Sequence, residues 1–333
     1  MPFHLHFGRD DLLRCRFAVS PLWETQEAVR TLKRPDRQTY HPRWLRRIRA
    51  AGRGLDLSAL WLLMPQRGHF PDFLGPPPIG PAARFEEEIA GVRAADPVAA
   101  ADDLARALAC TPGAAETPKG RALLADPVGA VRELADAMEA AWHTLVEPEW
   151  PRLRTLLEAD VAYHSRRLAE VGLGGLLPEL DRRLSWDEGT LTVEWRGEHA
   201  RALSGQGLVL IPSVFSWPDV VSGFEPPWQP ALAYPVRGIA ALWAEPDDRT
   251  PEPLVRLLGR GRAAVLAALV TPDTTSGLAH RLGLAPSSVS AHLSALRGAG
   301  LLVSRRYGHR VFYECTPLGI ALCTGGGVAQ ELD

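Results

Sequence analysis

Apolar residues change their spacing along the chain, and the changes divide it into three stretches. Between residues 9 and 175 they recur mostly every third or fourth position, which is the period of an amphipathic helix. Between residues 184 and 240 they form short runs separated by turns rich in Gly, Pro and Asp, which is typical of strands. From residue 254 helical spacing returns. The pattern predicts an α+β protein, in which a mostly helical N-terminal domain carries a small antiparallel sheet and a second domain follows.

Three helix starts in the N-terminal stretch are marked by a capping residue followed by proline. A side-chain oxygen accepts a hydrogen bond from the first turn, and proline lacks an N–H that would have no partner there. The three pairs are Ser20-Pro21, Asp96-Pro97 and Asp126-Pro127. A longer helix begins near Trp150 and is predicted to end at the glycines of 172–175.

Aromatic residues are concentrated in the strand-like stretch. Their side chains could line a pocket for a small apolar ligand, and an enclosed, aromatic-lined cavity within residues 1–245 would then be expected. The residues predicted to line this pocket are Trp186, Trp195, Phe215, Trp217 and Trp228. Filling the core of a thin sheet explains the same residues equally well, so both interpretations stay open.

Near the C-terminus, two predicted helices are joined by a short turn. The first ends at Gly283, and Pro286 opens the second at its first position. At about 100° per residue, the second helix places Val289, Leu293 and Leu296 on one face and small residues on the other. This arrangement predicts a helix-turn-helix, whose second helix enters the major groove of DNA. The predicted contacts on it are Ser287, Ser288, Ser290 and His292.

The small outer face of this helix limits how it could recognise a sequence. None of the four candidates is Arg, Asn or Gln, so strong bidentate hydrogen bonding to bases is not expected. Sequence preference would then depend partly on the shape of the DNA. For His292 a second interpretation stays open, in which the imidazole supports the fold.

A β-hairpin with basic residues around its turn is predicted directly after this helix, over residues 300–314. Gly308 suits the tip of the hairpin. A basic hairpin in this position is typical of a wing that contacts the minor groove or the phosphates, so the C-terminal domain is predicted to be a winged helix. The wing residues predicted to contact DNA are Arg305, Arg306, His309 and Arg310.

The charge is divided unevenly between the two parts of the chain. Residues 253–324 contain eight Arg, no Lys and two acidic residues, a net charge of +6, whereas residues 1–252 have a net charge of −6. A basic module joined to an acidic one is typical of a DNA-binding domain attached to a domain with another task.

Composition and the N-terminal sequence bear on the compartment. The chain is 46% hydrophobic and 23% charged, and no apolar run approaches the roughly 18 residues that span a bilayer. The first residues lack the features of a signal peptide, so we expect a cytoplasmic protein. The four cysteines are scattered and are expected to be reduced.

The order of the C-terminal elements resembles the winged-helix domain of ArsR/SmtB-type bacterial transcription regulators over about residues 253–323. The resemblance rests on V-S-x-H-L in the second helix, G-L-L after it, R-R-x-G-x-R in the hairpin, a following tyrosine and a helix start T-P-x-G. It implies a homodimer on a two-fold symmetric operator, usually a repressor released by an inducer. The preceding region is similar to an uncharacterised domain of long members of this group.

Two features depart from the family's pattern. The Cys-x-Cys pair and the carboxylate and His sets of its metal sensors have no counterpart, and Cys315 and Cys323 are eight positions apart, so no metal site is predicted. Gly277 occupies a helix position where the family usually has a better helix former, which costs about 0.5–1 kcal/mol.

The first 250 residues contain no catalytic motif. H-E-x-x-H, a Gly-rich phosphate loop and a Ser or Cys nucleophile motif are all missing from the sequence, so neither enzyme activity nor a cofactor is predicted. The predicted function is a regulator that binds double-stranded promoter DNA, a repressor released by a small apolar effector in the N-terminal domain. Two alternatives stay open: a DNA-tethered protein-interaction module without a small ligand, and an enzyme with an appended DNA-binding domain.

The predicted domain organisation follows from these patterns. A regulatory and dimerisation domain is placed at 1–245, helical over 9–175 and β-rich over 184–240. Residues 246–253, rich in acid and proline, form a linker, and residues 254–324 form the winged helix.

Overall fold

The computed structural model describes residues 3–323 except 36–39, 66–67, 195–198, 224–225, 227, 244–251, 270–271 and 308–309. The chain divides into two compact units, Met1–Arg237 and Gly238–Asp333. We call them the first and the second unit. Of the predicted linker at 246–253, residues 246–251 lie outside the described residues. None of the helices in the described part is long and apolar enough to cross a membrane.

The described residues of the first unit form a series of helices before most of its strands. In chain order they are α1 (Arg9–Leu13), α2 (Pro21–Lys33), α3 (Pro42–Ala51), α4 (Ser58–Leu62), α5 (Phe85–Arg93), α6 (Pro97–Ala109), α7 (Pro118–Ala125), α8 (Pro127–Ala141) and α9 (Trp150–Leu180). The predicted cap and proline pairs are confirmed, because Ser20, Asp96 and Asp126 each accept a hydrogen bond from a first-turn N–H. α9 breaks at Gly172, where φ is +68°, and then resumes to Leu180.

A buried carboxylate completes the N-terminus of α2. Ser20 Oγ accepts from the N–H of Trp23 (3.1 Å) and donates to Glu88 Oε1 (2.6 Å). Glu88 Oε2 in turn accepts from the N–H of Leu22 (2.9 Å). Two first-turn donors are therefore paired, and a negative group lies at the positive end of the helix dipole. Burial raises the pKa of Glu88 to about 7.

The strands of the first unit form two sheets of four strands each. In chain order the strands are β1 (Phe3–His6), β2 (Arg16–Phe17), β3 (Leu184–Asp187), β4 (Thr190–Val193), β5 (His199–Ala202), β6 (Val209–Ser213), β7 (Val221–Gly223) and β8 (Ala231–Pro235). The sheet orders are β3-β4-β1-β5 and β2-β6-β8-β7. The α+β class is confirmed.

The prediction of one small antiparallel sheet is corrected to two mixed sheets. β1 pairs antiparallel with β4 and parallel with β5, while β6 pairs parallel with both β2 and β8. Every residue of β6 is buried, as is common for a parallel strand covered on both faces. Whether these strands pair parallel or antiparallel depends on β1 and β2, which lie near the N-terminus. The alternation of apolar and polar residues within a strand does not encode this direction.

Two apolar clusters attach the helices to these sheets. In one, Leu176 and Leu177 of α9 pack with Leu5 and Leu191 of the β1 and β4 strands. In the other, Trp23 of α2 packs against the buried faces of β6 and β8. Burial of these side chains supplies the hydrophobic stabilisation of the first unit.

The described part of the second unit contains six helices around a three-stranded antiparallel sheet of order β10-β11-β9. The elements are α10 (Ile239–Leu242), α11 (Glu252–Leu258), α12 (Arg260–Ala268), β9 (Asp273–Thr274), α13 (Thr275–Leu282), α14 (Pro286–Gly298), β10 (Leu302–Tyr307), β11 (Arg310–Cys315) and α15 (Pro317–Cys323). The helical spacing that returns at residue 254 is divided between α11 and α12. Gly259 has φ of +79°, which glycine adopts without strain and which no α-helix contains.

Candidate nucleic-acid interface

A tight turn and a shared core hold α13 against α14. Gly283 has φ of +63°, and the N–H of Leu284 donates to Ala279 O (3.0 Å) across the turn. Val289, Leu293 and Leu296 of α14 are fully buried with the apolar residues of α12 and α13. The inner face of α14 is therefore fixed by the core, as the spacing of its apolar residues predicts.

The opposite face of α14 is exposed and small. Ser287, Ser288 and Ser290 are exposed, and so is Ser294, which the sequence places on this face but which was not among the predicted contacts. Ala285, the N-cap residue, offers no side-chain acceptor to the first turn. The N-terminal end of α14 thus carries a positive partial charge that no capping side chain offsets, and phosphate is attracted to such an end.

His292 differs from the three serines because it faces the interior of the unit. A Cβ atom added to Gly261 of α12 would lie 2.5 Å from His292 Nε2, so the imidazole packs directly over this glycine. The side chain is half-buried. The structure thus places His292 at the contact between α12 and α14, which fits the supporting role that the sequence left open.

The predicted hairpin forms from β10 and β11. The strands pair from Leu302 with Cys315 to Tyr307 with Arg310, and β9 pairs with β11. The backbone places Arg305, Arg306 and Arg310 on these strands. The side chains of the three arginines, and His309 altogether, lie outside the described residues.

Polar contacts attach this hairpin to α14. An N–H of the Arg297 guanidinium, near the end of α14, donates to Ser304 Oγ on β10 (3.1 Å). Thr316 Oγ1 donates to Gly300 O (2.8 Å) and accepts from the N–H of Gly319 (3.2 Å). The bond from Arg297 holds β10 against the C-terminal end of α14. Thr316 joins the end of β11 to the turn before β10 and caps the start of α15.

Cys315 and Cys323, eight positions apart in sequence, are brought together in the fold. A hydrogen bond between the two side chains raises the pKa of Cys315 and lowers that of Cys323, since the protonated thiol stabilises its neighbour's thiolate. No third His, Cys, Asp or Glu joins them among the described residues. Within the described residues the two thiols are two ligands short of the set that holds a structural zinc ion.

The predicted aromatic pocket is divided in the structure. Trp186 packs edge-on against Phe7, with ring centroids 5.0 Å apart. Phe215 is fully buried against Trp44, with centroids 4.5 Å apart. The rings of Trp186 and Phe215 therefore fill separate parts of the unit, as the core-filling alternative describes.

Two of the other predicted pocket residues, Trp217 and Trp228, lie in different surroundings. Trp217 packs edge-on against Tyr40, with centroids 4.6 Å apart, Trp228 is 38% exposed, and Trp195 lies outside the described residues. A cleft that includes Phe215 and Trp217 has a volume of about 20 Å³, room for one water molecule. Neither this cleft nor the more open one beside His6 and Phe7 is an enclosed, aromatic-lined cavity of the kind expected from the sequence.

The local structure explains why residue 277 of α13 is a glycine. A Cβ atom at this position would overlap the carboxylate of Asp273 and lie 2.7 Å from its Cγ. That carboxylate accepts from the N–H of Thr274 (2.7 Å), and Thr274 Oγ1 accepts from the N–H of Gly277 (3.1 Å). Glycine thus leaves room for the hydrogen bonds that begin α13.

We expect Gly277→Ala to lower the free energy of unfolding of the second unit by about 0.5–2.5 kcal/mol. Helix propensity alone predicts a gain of about 0.5–1 kcal/mol, but the displaced Asp273 carboxylate loses a charge-assisted hydrogen bond of about 1.5–3 kcal/mol. Equilibrium urea denaturation measures the difference. In an Asp273→Ala background the same substitution should become stabilising, and a stabilising effect in both backgrounds would show that the carboxylate is irrelevant.

Comparison with known families divides the chain in the same order. Residues 266–304 match the family described as bacterial regulatory protein, arsR family, and residues 80–240 match a family of unknown function, DUF5937. The first match runs from α12 to β10 and ends before the turn of the hairpin. No curated protein and no solved structure matches the chain. The chain thus carries an ArsR-family helix-turn-helix near its C-terminus, preceded by a DUF5937 domain, an organisation that indicates DNA-binding regulation of transcription.

Proposed function

We propose that this protein is a homodimeric, cytoplasmic transcriptional repressor that binds a two-fold symmetric operator. The observation that carries the proposal is the exposed serine face of α14 opposite its buried apolar face, beside a hairpin that contains three arginines. One α14 helix reaches a single half-site, so two copies are needed to read a symmetric operator. Occupancy of the promoter by the dimer would block transcription.

The distribution of charge supports DNA binding by the C-terminal part of the chain. The net charge of +6 over residues 253–324 favours association with phosphates, while the net charge of −6 over residues 1–252 disfavours it. With few bidentate base contacts available on α14, a large share of the affinity would come from counterion release, and the affinity would fall steeply with salt.

Release from DNA is assigned to an effector bound in the first unit, which has its own apolar clusters. The divided aromatic residues give no support to a large apolar effector. No catalytic role is assigned to this unit. His143 and Glu147 form a His–Glu pair four positions apart, but their side chains are 56% and 52% exposed, whereas catalytic pairs lie in clefts.

Removing single arginines from the hairpin should weaken DNA binding without changing its sequence preference. We expect Arg306→Ala and Arg310→Ala each to lower affinity for DNA from the promoter of the protein's own gene by about three- to tenfold. The slope of log K against log salt should decrease by about one for each phosphate contact that is lost. Fluorescence anisotropy over a range of salt concentrations measures both quantities.

The matched control for these variants is Arg154→Ala in the first unit. Arg154 is an exposed arginine paired with Glu158, so its replacement removes the same charge and leaves the hairpin sequence unchanged. Affinity and salt slope should stay at the wild-type values. If both hairpin variants also kept the wild-type affinity and slope, the hairpin would not contact phosphate and this part of the proposal would be wrong.

A further inference from the structure

Three side chains that commonly ligate metal ions converge in the first unit. His69 and Asp72 lie on either side of Pro71, and Asp103 lies on α6. One ligand atom of each lies within 4.8 Å of the ligand atoms of the other two. His69 and Asp103 are 34 positions apart, which is why no sequence motif indicates the cluster. It was not among the predicted sites.

The cluster is held in place by bonds that orient its ligand atoms. His69 Nε2 lies 2.7 Å from Asp103 Oδ1, and the N–H of Phe73 donates to Asp103 Oδ2 (3.3 Å). The N–H of His69 donates to Cys110 Sγ (3.2 Å), which fixes the backbone of the histidine. The side chain of Asp103 is 7% exposed and that of Asp72 is 16% exposed. The bonds from the N–H groups of Phe73 and His69 lie outside the ligand atoms, and such outer hydrogen bonds position ligands in known metal sites. The contact between His69 Nε2 and Asp103 Oδ1 joins two of the ligands and would be replaced by the ion.

We propose that His69, Asp72 and Asp103 bind a divalent transition-metal ion of the zinc class, with water at the remaining position. One imidazole nitrogen and two carboxylate oxygens suit Zn²⁺, which accepts N and O ligands at about 2.0–2.2 Å. Ligands at that distance from a tetrahedral ion lie roughly 3.3 Å from one another. The observed spacing therefore closes around an ion through small side-chain rotations.

Arg106 competes with a metal ion for the same carboxylates. Its guanidinium lies 2.5 Å from Asp103 Oδ1 and 3.8 Å from Asp72 Oδ2. The side chain is 51% exposed, so it can turn into solvent when an ion takes its place. Because of this competition, removing the Arg106 side chain should tighten metal binding. No such effect is expected for metal bound by an ordinary surface histidine.

Titration of the metal-free full-length chain with Zn²⁺, followed by calorimetry in the absence of DNA, tests the site. We expect one tightly bound ion per chain. His69→Ala should weaken binding at least tenfold, and Arg106→Ala should tighten it about three- to tenfold. His143→Ala is the matched control because His143 also lies 2.7 Å from a carboxylate, that of Glu147, and its removal should leave the tight site unchanged.

The inference does not rest on the proposed function, because the binding is measured without DNA. Absence of a tight site in the wild-type protein overturns it, and so does tight binding that appears only in Arg106→Ala. A tight site that survives His69→Ala would lie elsewhere and would overturn it as well. If His69→Ala does not fold, as judged by circular dichroism, Asp72→Asn decides: its side chain is not part of the buried core, and retained wild-type affinity would contradict the assignment.

Discussion

Replacing Ser287 with Glu is expected to weaken binding to promoter DNA at least 100-fold while the second unit stays folded. Ser287 is exposed in the first turn of α14, opposite the buried Val289 and Leu293. A carboxylate there would meet the phosphates of the groove into which we propose that α14 inserts. Like charges placed together across an interface cost several kcal/mol, and each 1.4 kcal/mol is tenfold in affinity. Electrophoretic mobility shift or anisotropy measures the loss.

The same substitution should not harm the helix. An acidic side chain in the first turn interacts favourably with the helix dipole, by about 0.3–1 kcal/mol at an exposed position. α14 also lacks a capping side chain at Ala285, so the first-turn N–H groups gain a nearby acceptor. The midpoint of urea denaturation should therefore stay the same or rise slightly. Loss of binding would then reflect the interface and not unfolding.

Ser287→Gln separates charge from size at this position. Glutamine has nearly the shape of glutamate but no charge, so the variant should keep affinity within about tenfold of the wild type. If the glutamate and glutamine variants bind DNA equally well, α14 does not approach the phosphates at this end. If both lose binding to the same extent, steric exclusion and not charge would explain the loss.

Features that depend on neighbouring residues could be predicted from the sequence. The cap and proline pairs mark three helix starts because a side-chain oxygen and a proline act within a single turn. The buried face of α14 follows from the spacing of Val289, Leu293 and Leu296. The paired strands of the hairpin lie within the predicted range 300–314 apart from Cys315 at its end, while the predicted tip at Gly308 lies outside the described residues. Each of these sequence signals lies within about ten residues, so the local structure that it predicts does not depend on how the rest of the chain folds.

Features that depend on distant pairing could not be predicted in this way. The direction of each strand in the two mixed sheets is set by β1 and β2, whose partners lie about 190 positions later in the chain. Trp186 and Phe215 were grouped by sequence proximity, but their rings pack on Phe7 and Trp44 from the N-terminal region. The cluster of His69 with Asp103 has the same origin, because α6 brings together residues that no local spacing connects.

Glycines show where a local signal was present but ambiguous. Gly259 could belong to a helix at a small cost, and only the structure shows that its positive φ ends α11. Gly277 is a poor helix former by propensity. Glycine is selected at this position because the Asp273 carboxylate occupies the space where a Cβ would lie. In both cases the residue type is visible in the sequence, whereas the constraint that selects it is tertiary.

Glu24 of α2 makes the stability of the first unit depend on pH. The side chain is fully buried, and Oε1 accepts from the N–H of Val214 (2.8 Å). Burial, which penalises the charged form, raises the pKa of Glu24 from 4.5 to about 8. Between these values the unfolded chain has lost this proton while the folded chain keeps it. The contribution of the protonated carboxyl to stability is therefore complete below about pH 4.5 and is lost as the pH rises towards 8.

Other buried groups change their protonation in the same pH range, and they change the stability of the first unit in opposite directions. Burial raises the pKa of Glu88 to about 7 and that of Asp160 to about 6, so both act in the same direction as Glu24. Burial lowers the pKa of His41 and of His164 to about 4, so their contribution to stability is present above pH 6.5 and is lost as the pH falls. The pH profile of the wild type mixes these effects, and only a difference between two proteins isolates Glu24.

We expect Glu24→Gln to raise the free energy of unfolding of the first unit by about 3–5 kcal/mol near pH 8.5, since one pKa unit is about 1.4 kcal/mol. Near pH 5 the gain should almost vanish, because the wild-type carboxyl is then protonated in the fold and resembles the amide. Urea denaturation followed by tryptophan fluorescence at both pH values measures the gain. Glu86→Gln, on the exposed surface of α5, should follow the wild-type profile. A gain for Glu24→Gln that does not change between pH 5 and 8.5 would mean that ionisation of this carboxyl is not what limits stability, and that the amide stabilises the fold through packing or hydrogen bonding alone.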